Sequence, residues 1–207
     1  MATVALRADL RRVRGYACPL RRVRRPPGLP TRRPAPRRYR DAPIVQESAV
    51  IAADPRRVWE LVTDVTLPAR FSAELAAVEW IQGDSVAVGN RFRGRNNHAA
   101  LGEWSTESVI VEVEDGRRWV WDVTGADGEP SASWAFEVEP VRDGTLVRQW
   151  GRMGPGRSGL SFAIDRMPEK EGRIIDNRLA EWREGLQANL RGIAEIYSAE
   201  IDSDPVG

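Results

Sequence analysis

The sequence predicts an α+β domain in which a curved antiparallel sheet of about seven strands wraps one long C-terminal helix. Three observations carry this prediction. The Asp-Gly pairs at Asp115-Gly116, Asp127-Gly128 and Asp143-Gly144 break a run of strand-like segments, and such pairs are the strongest short-range hairpin signal. The residues Ile175, Leu179, Trp182, Leu186, Leu190, Ile193 and Tyr197 recur at steps of three and four, which puts one apolar stripe along a helix from about residue 169 to 200. Such a helix is about 45 Å long, enough to cover a whole sheet. Finally, 207 residues of which 42% are apolar suffice for one core.

The chain divides at about residue 40. Residues 1–40 hold 13 Arg and one acid, Asp9, for a net charge of 13 minus 1, or +12, and six of the 14 prolines. With no apolar periodicity to offset its ordering entropy, this arm reads as disordered. A phosphate-binding arm, an organelle presequence and a twin-arginine signal each fit in part, but the arm has no Ser and no apolar stretch follows its arginine pairs. A non-structural leader is the favoured reading. Residues 41–207 carry the remaining 18 basic and 29 acidic residues, a net charge of −11, and form the domain.

Within the domain, the β-branched run Ile44 to Ala52 reads as the first strand. Asp54-Pro55 supplies an N-cap and a first-turn proline for a short helix carrying Val58, Trp59, Leu61 and Val62. Pro68 ends it, and a second short helix or turn follows. Six strand-like segments come next: LAAVEWIQG, NRFRGRNNHA, EWSTESVIVEVE, RRWVWDVTG, SASWAFEVE and TLVRQWGRM. Alternation places Trp119, Trp121 and Val123 on one side of their strand and Trp134, Phe136 and Val138 together on theirs. In EWSTESVIVEVE either face qualifies as the inner one. The Gly-rich stretch 151–161 lacks the Lys-Ser/Thr ending of a phosphate loop and reads as a flexible entrance to a cavity beside the long helix.

A straight helix laid on a twisted sheet leaves space beneath it, and a cavity is expected there. The order of elements, with the segments Ala53 to Phe71, Gly89 to Asn96, Trp104, RRWVWDV and Gly144 to Met153, resembles the START-like or SRPBCC superfamily and its bacterial polyketide cyclase/dehydrase branch. The resemblance spans about residues 44 to 200 and implies a helix-grip fold around an apolar ligand cavity. It implies binding of a hydrophobic small molecule, with polyketide cyclisation and dehydration or plain lipid or quinone carriage as the two alternatives.

Candidate residues follow. Trp59, Trp104, Trp119, Trp121, Trp134, Phe136 and Trp150 suit the walls of a cavity for flat polycyclic or isoprenoid ligands, and equally a filled core. His98 is the only histidine, the residue type whose unperturbed side chain suits acid/base work at neutral pH, although a strand end is usually exposed. Arg91, Arg93 and Arg95 alternate and so share a face opposite Phe92, a face that ought to meet solvent. By resemblance to cyclases, Arg95 or Arg148 would orient a ligand carbonyl or enolate. Asp64, Glu74, Glu79, Glu103 and Glu107 show no spacing for a catalytic carboxylate pair and read as surface charge.

A single cysteine, Cys18, and a single histidine exclude an internal disulfide, a Cys-based zinc cage and His-rich metal sites, so no cofactor or metal is expected. No apolar run approaches the roughly 18 residues of a membrane span, and a cytoplasmic location is expected. Nucleic acid is an expected partner only through the arm, and the oligomeric state is not legible.

Overall fold

The structure, a computed structural model, describes residues 37–99 and 102–203, with side chains as far as residue 199. The arm up to residue 36 lies outside the described residues. Seven strands, β1 (Ile44–Ile51), β2 (Leu75–Gln82), β3 (Arg91–His98), β4 (Gly102–Glu114), β5 (Arg118–Thr124), β6 (Pro130–Val141) and β7 (Gly144–Met153), form one antiparallel sheet. Their order is β1-β7-β6-β5-β4-β3-β2, so the meander from β2 to β7 is closed at its end by the first strand.

Between β1 and β2 lie α1 (Pro55–Val62) and a 3₁₀ turn, Leu67–Arg70. The α1 start follows from chemistry legible in the sequence: Asp54 accepts a hydrogen bond from the Arg56 N–H at 2.9 Å, and Pro55 occupies the first turn. The long helix is present as α3 (Glu171–Ser203) and the expected apolar stripe is its sheet-facing side, where Ile175, Leu179, Leu186, Leu190, Ile193 and Tyr197 are buried.

The stretch read as a flexible Gly-rich loop contains a further helix, α2 (Gly159–Arg166). The Ser161 hydroxyl accepts from the Ser158 N–H at 2.7 Å and satisfies one of the amides that a helix start leaves unpaired. Just before β1, Tyr39 is docked onto the same region. Its hydroxyl donates to the Gly156 carbonyl at 2.7 Å, and its N–H donates to Glu171 at 2.9 Å.

Alternation along the strands sorts side chains between an inner face covered by α1 and α3 and an outer face. Ile51, Phe92, Ile110, Trp119, Trp121, Phe136, Val138 and Val147 join Val58, Val62, Leu67, Leu190, Ile193 and Tyr197 in the main core. A second core joins Val45 and Met153 to Ile175, Leu179 and Leu186 under the first half of α3. The question left open for β4 has a structural answer. A bulge between Ile110 and Glu112 shifts the pairing with β5, so Ile110 and Val113 both turn toward the inner aromatic side while Val111 is left exposed.

Candidate functional site

The inner face is lined by an aromatic wall. Trp119 and Trp121 stack at 4.3 Å between ring centroids, Phe136 lies 6.2 and 6.3 Å from them, and Phe92 extends the row toward Trp80 at 5.9 Å. Position in the wall decides its character. Trp119 is 2% exposed and Phe136 fully buried, and the Trp119 indole N–H donates to the Val62 carbonyl at 3.1 Å. These two rings are held in the core against α1. Trp59 faces the same core from α1 and donates to Asp115 in the β4–β5 turn at 3.0 Å. Trp134 is half-buried and stands over Gly151, where a Cβ would lie 2.5 Å from its ring, and it meets Trp182 of α3 at 4.4 Å.

Toward β3 and β4 the inner face changes character. Gly94 lets its neighbours close in, since a Cβ there would sit only 3.0 Å from Leu75 and 3.3 Å from Thr106 Oγ1, with Asn96 Nδ2 at 3.9 Å. Asn96 pairs across the sheet with Trp104, and buried Ser108 continues the same polar series along β4. His98 closes the series of Phe92, Gly94 and Asn96 and is half-buried at the end of β3.

Beside its apolar stripe, α3 carries a second one, Arg178, Trp182, Gly185, Asn189 and Gly192, again at steps of three and four. Arg178 makes two 2.7 Å hydrogen bonds to Glu74 and a third to Glu181 at 2.9 Å. Burial, the largest influence on this guanidinium, lowers its pKa, but the two carboxylates raise it by more. At the other end, the Phe71 ring occupies the place of a Gly192 side chain. Between these two closures Gly185 meets no atom within 4 Å of its Cβ position. One turn on, Asn189 donates through Nδ2 to Gln149 Oε1 at 3.1 Å from inside the core.

The remaining predicted residues lie elsewhere. Arg95 follows Arg91 and Arg93 onto the outer face, where Arg91 and Arg93 pair with Glu107 at 3.2 and 2.8 Å. Arg148 pairs with Glu139 at 2.8 Å on that face, and Trp150 donates to Glu137 at 3.0 Å beneath Arg118. Period-two alternation is the reason: Val147 and Gln149 point inward, so Arg148 and Trp150 cannot, and the sheet itself separates them and Arg95 from the space beneath α3. Glu74 is a partner of α3 and not plain surface charge.

A surface cleft of about 440 Å³ lies around Tyr39, Pro155, Arg157, Ser161, Ile164 and Glu171, and none of the rings of the aromatic wall lines it. Four of its charged groups pair with one another, Arg157 with Asp165 and Arg38 with Glu171. Among the described residues no cluster of His, Cys, Asp and Glu suits a metal, and no helix is long and apolar enough to cross a membrane.

A seven-stranded sheet gripping a long C-terminal helix, with an aromatic inner face, defines a helix-grip protein. The chain belongs to the polyketide cyclase / dehydrase and lipid transport family, whose model matches residues 42–187. Among solved structures it is similar to the Polyketide_cyc-like protein Cgl2372 from Corynebacterium glutamicum, at 26% identity and a TM-score of 0.56, over 79% of this chain and 96% of that one. It shares its fold with the di-domain ARO/CYC StfQ of the steffimycin biosynthetic pathway, at 12% identity and a TM-score of 0.58, over 80% of this chain and 54% of that one. The di-domain ARO/CYC BexL of the BE-7585A pathway matches at 15% identity and a TM-score of 0.53, over 73% of this chain and 48% of that one. No curated protein matches the chain.

Proposed function

We propose that the protein binds an apolar small molecule between α3 and the inner face of β3 to β6. The observation that carries this is the open position at Gly185, on the helix stripe whose Trp182 meets Trp134 and between the Glu74–Arg178 ion pair and the Phe71–Gly192 contact. A face meant only for packing has little reason to place Asn96, Thr106 and Ser108 among tryptophans, because buried polar groups stabilise a fold only when paired. The same groups suit a ligand that is flat and apolar with a few oxygens. Trp134, Trp182 and Trp104 are the half-buried rings at hand for it, whereas Trp119 and Phe136 support the wall from behind.

The family's description names both cyclase/dehydrase and lipid-transport members, and the binding reading is common to both. Cyclisation is the second reading, favoured by Asn96 Nδ2 and Thr106 Oγ1 lying close together beside Gly94, where two donors can stabilise an enolate oxygen while the walls hold reacting carbons together. Titrating the protein with flavonoids, sterols, fatty acids and quinones tests the binding reading. Tryptophan emission is expected to quench, and Trp134→Phe to reduce the response. A folded protein that responds to none of them overturns it.

A further inference from the structure

The two edges of the sheet are built differently. At one end β2 departs from regular register with β3 at Leu75/Ala77 and again at Trp80/Gln82, and such irregularities turn an edge away from further pairing. At the other end β1 pairs residue for residue with β7 from Ile44 to Ile51 without a break. It contains no proline, lysine or arginine, the residues that most often blunt an edge. Its only charge, Glu47, is turned inward, where Arg183 of α3 donates to it at 3.1 Å and Gln187 at 3.3 Å.

The Pro43 carbonyl accepts from the Met153 N–H at 3.0 Å, so in this antiparallel ladder the odd-numbered residues bond toward β7. The even-numbered residues Ile44, Gln46, Ser48 and Val50 therefore aim their N–H and C=O groups the other way, along an edge that no described strand occupies. Their side chains lie exposed on the outer face, and the two end ones are apolar, Ile44 being 54% and Val50 56% exposed.

We propose that β1 is a pairing edge for a second copy of this chain, the two strands running antiparallel about a two-fold axis at Glu47. Parity and chemistry point to this occupant. Only even-numbered residues offer free backbone groups, so each must face an even-numbered residue of the partner copy. Setting Ile44 against the partner copy's Val50, and Gln46 against its Ser48, uses every one of them, and each such pair exchanges two backbone hydrogen bonds. The same register places apolar against apolar and polar against polar on the outer face. On the inner face Glu47 meets its twin, but each brings its own Arg183, so carboxylates and guanidiniums balance. A two-fold contact closes on itself, and the irregular β2 edges at the far ends do not extend it. The arm is a poor alternative strand, because its six prolines between residues 19 and 36 lack the N–H that a ladder needs.

Sedimentation velocity of the full chain, from micromolar to submillimolar concentration, tests the proposal. The mass is expected to rise reversibly from 23.2 kDa toward twice that value. Ser48→Pro removes an N–H that faces away from β7, and Val50→Lys sets a charge against the partner copy's Ile44. Each is expected to weaken the dimer about tenfold or more while thermal melts stay within a few degrees of wild type. Ile44→Glu alone is expected to do the same, whereas Ile44→Glu/Val50→Lys, which opposes unlike charges only in this register, is expected to recover much of the loss. The charge variants involve no proline, so the test stands even where Ser48→Pro fails to fold. A wild-type chain that stays monomeric throughout, a dimer untouched by Val50→Lys, or a double variant as weak as its single components overturns the proposal. Loss of the dimer on removing residues 1–36 assigns it to the arm and overturns the proposal too.

Discussion

Trp119 shows how one side chain joins two tasks. Its ring stacks on Trp121 while its indole N–H caps the carbonyl of Val62 at the end of α1, so it ties sheet to helix by area and by a directed bond. Trp119→Ala is expected to destabilise by about 3–5 kcal/mol in urea unfolding, and Trp119→Phe by less, since the ring is kept and only the hydrogen bond is lost. Gly144 is constrained differently. It sits at φ 138°, and the Ile51 carbonyl oxygen fills the place of its missing Cβ, whereas Gly128, at φ 84°, faces open space. Gly144→Ala is therefore expected to lower stability by about 1–3 kcal/mol and Gly128→Ala by about 1 kcal/mol, as compared by thermal melts.

The start of α3 is where an element meets the chain that leads into the domain. The Tyr39 N–H bond, the largest influence, and the Arg38 guanidinium hold the Glu171 carboxyl below the usual glutamate range. A carboxyl titrating below its unfolded value of about 4.3 contributes stability above that pH, and the contribution fades as pH falls through the folded value. An NMR titration of the Tyr39 amide is expected to show an inflection below about pH 4.3 that Glu171→Gln abolishes. The elements also show where sequence reading stops. The Asp-Gly turns and the α3 stripe are local patterns, and each was legible. The inner face of β4 was not, because the bulge at Ile110 to Glu112 changes the side on which alternation counts. The helix α2 hid in a Gly-rich stretch because a Ser158–Ser161 cap, not an apolar period, starts it.

For the whole molecule, the fold was legible and the site only partly so. Trp119, Trp121, Trp134 and Phe136 do share the inner face, since hydrophobic alternation reports burial directly. Gln149 and Asn189 escaped notice because their partnership spans 40 positions and leaves no local period. The second stripe of α3 was the available signal, a Trp, two Gly and an Asn in register beside the apolar one. At this scale the division at about residue 40 becomes testable. Removing residues 1–36 is expected to leave the melting temperature within a few degrees of the full chain. Removing residues 1–41 is expected to lower it further, because Tyr39 and Arg38 then no longer reach Gly156 and Glu171.

The pairing of the first strand with the last bears on how the protein is born. Ile44 faces Arg152 and Ile51 faces Thr145, so β1 leaves the ribosome with its sheet partner still roughly a hundred residues from synthesis. At translation rates of about 5–20 residues per second, that wait lasts roughly 5 to 20 s, and α3 arrives later still. Most of that wait passes before the row Trp119, Trp121, Trp134 and Phe136 is itself made; once made it is not yet roofed by α3, and until β7 follows nothing occupies the open edges of β1 and β6. Closure of the domain therefore waits on β7 and α3, the last of its described elements to emerge.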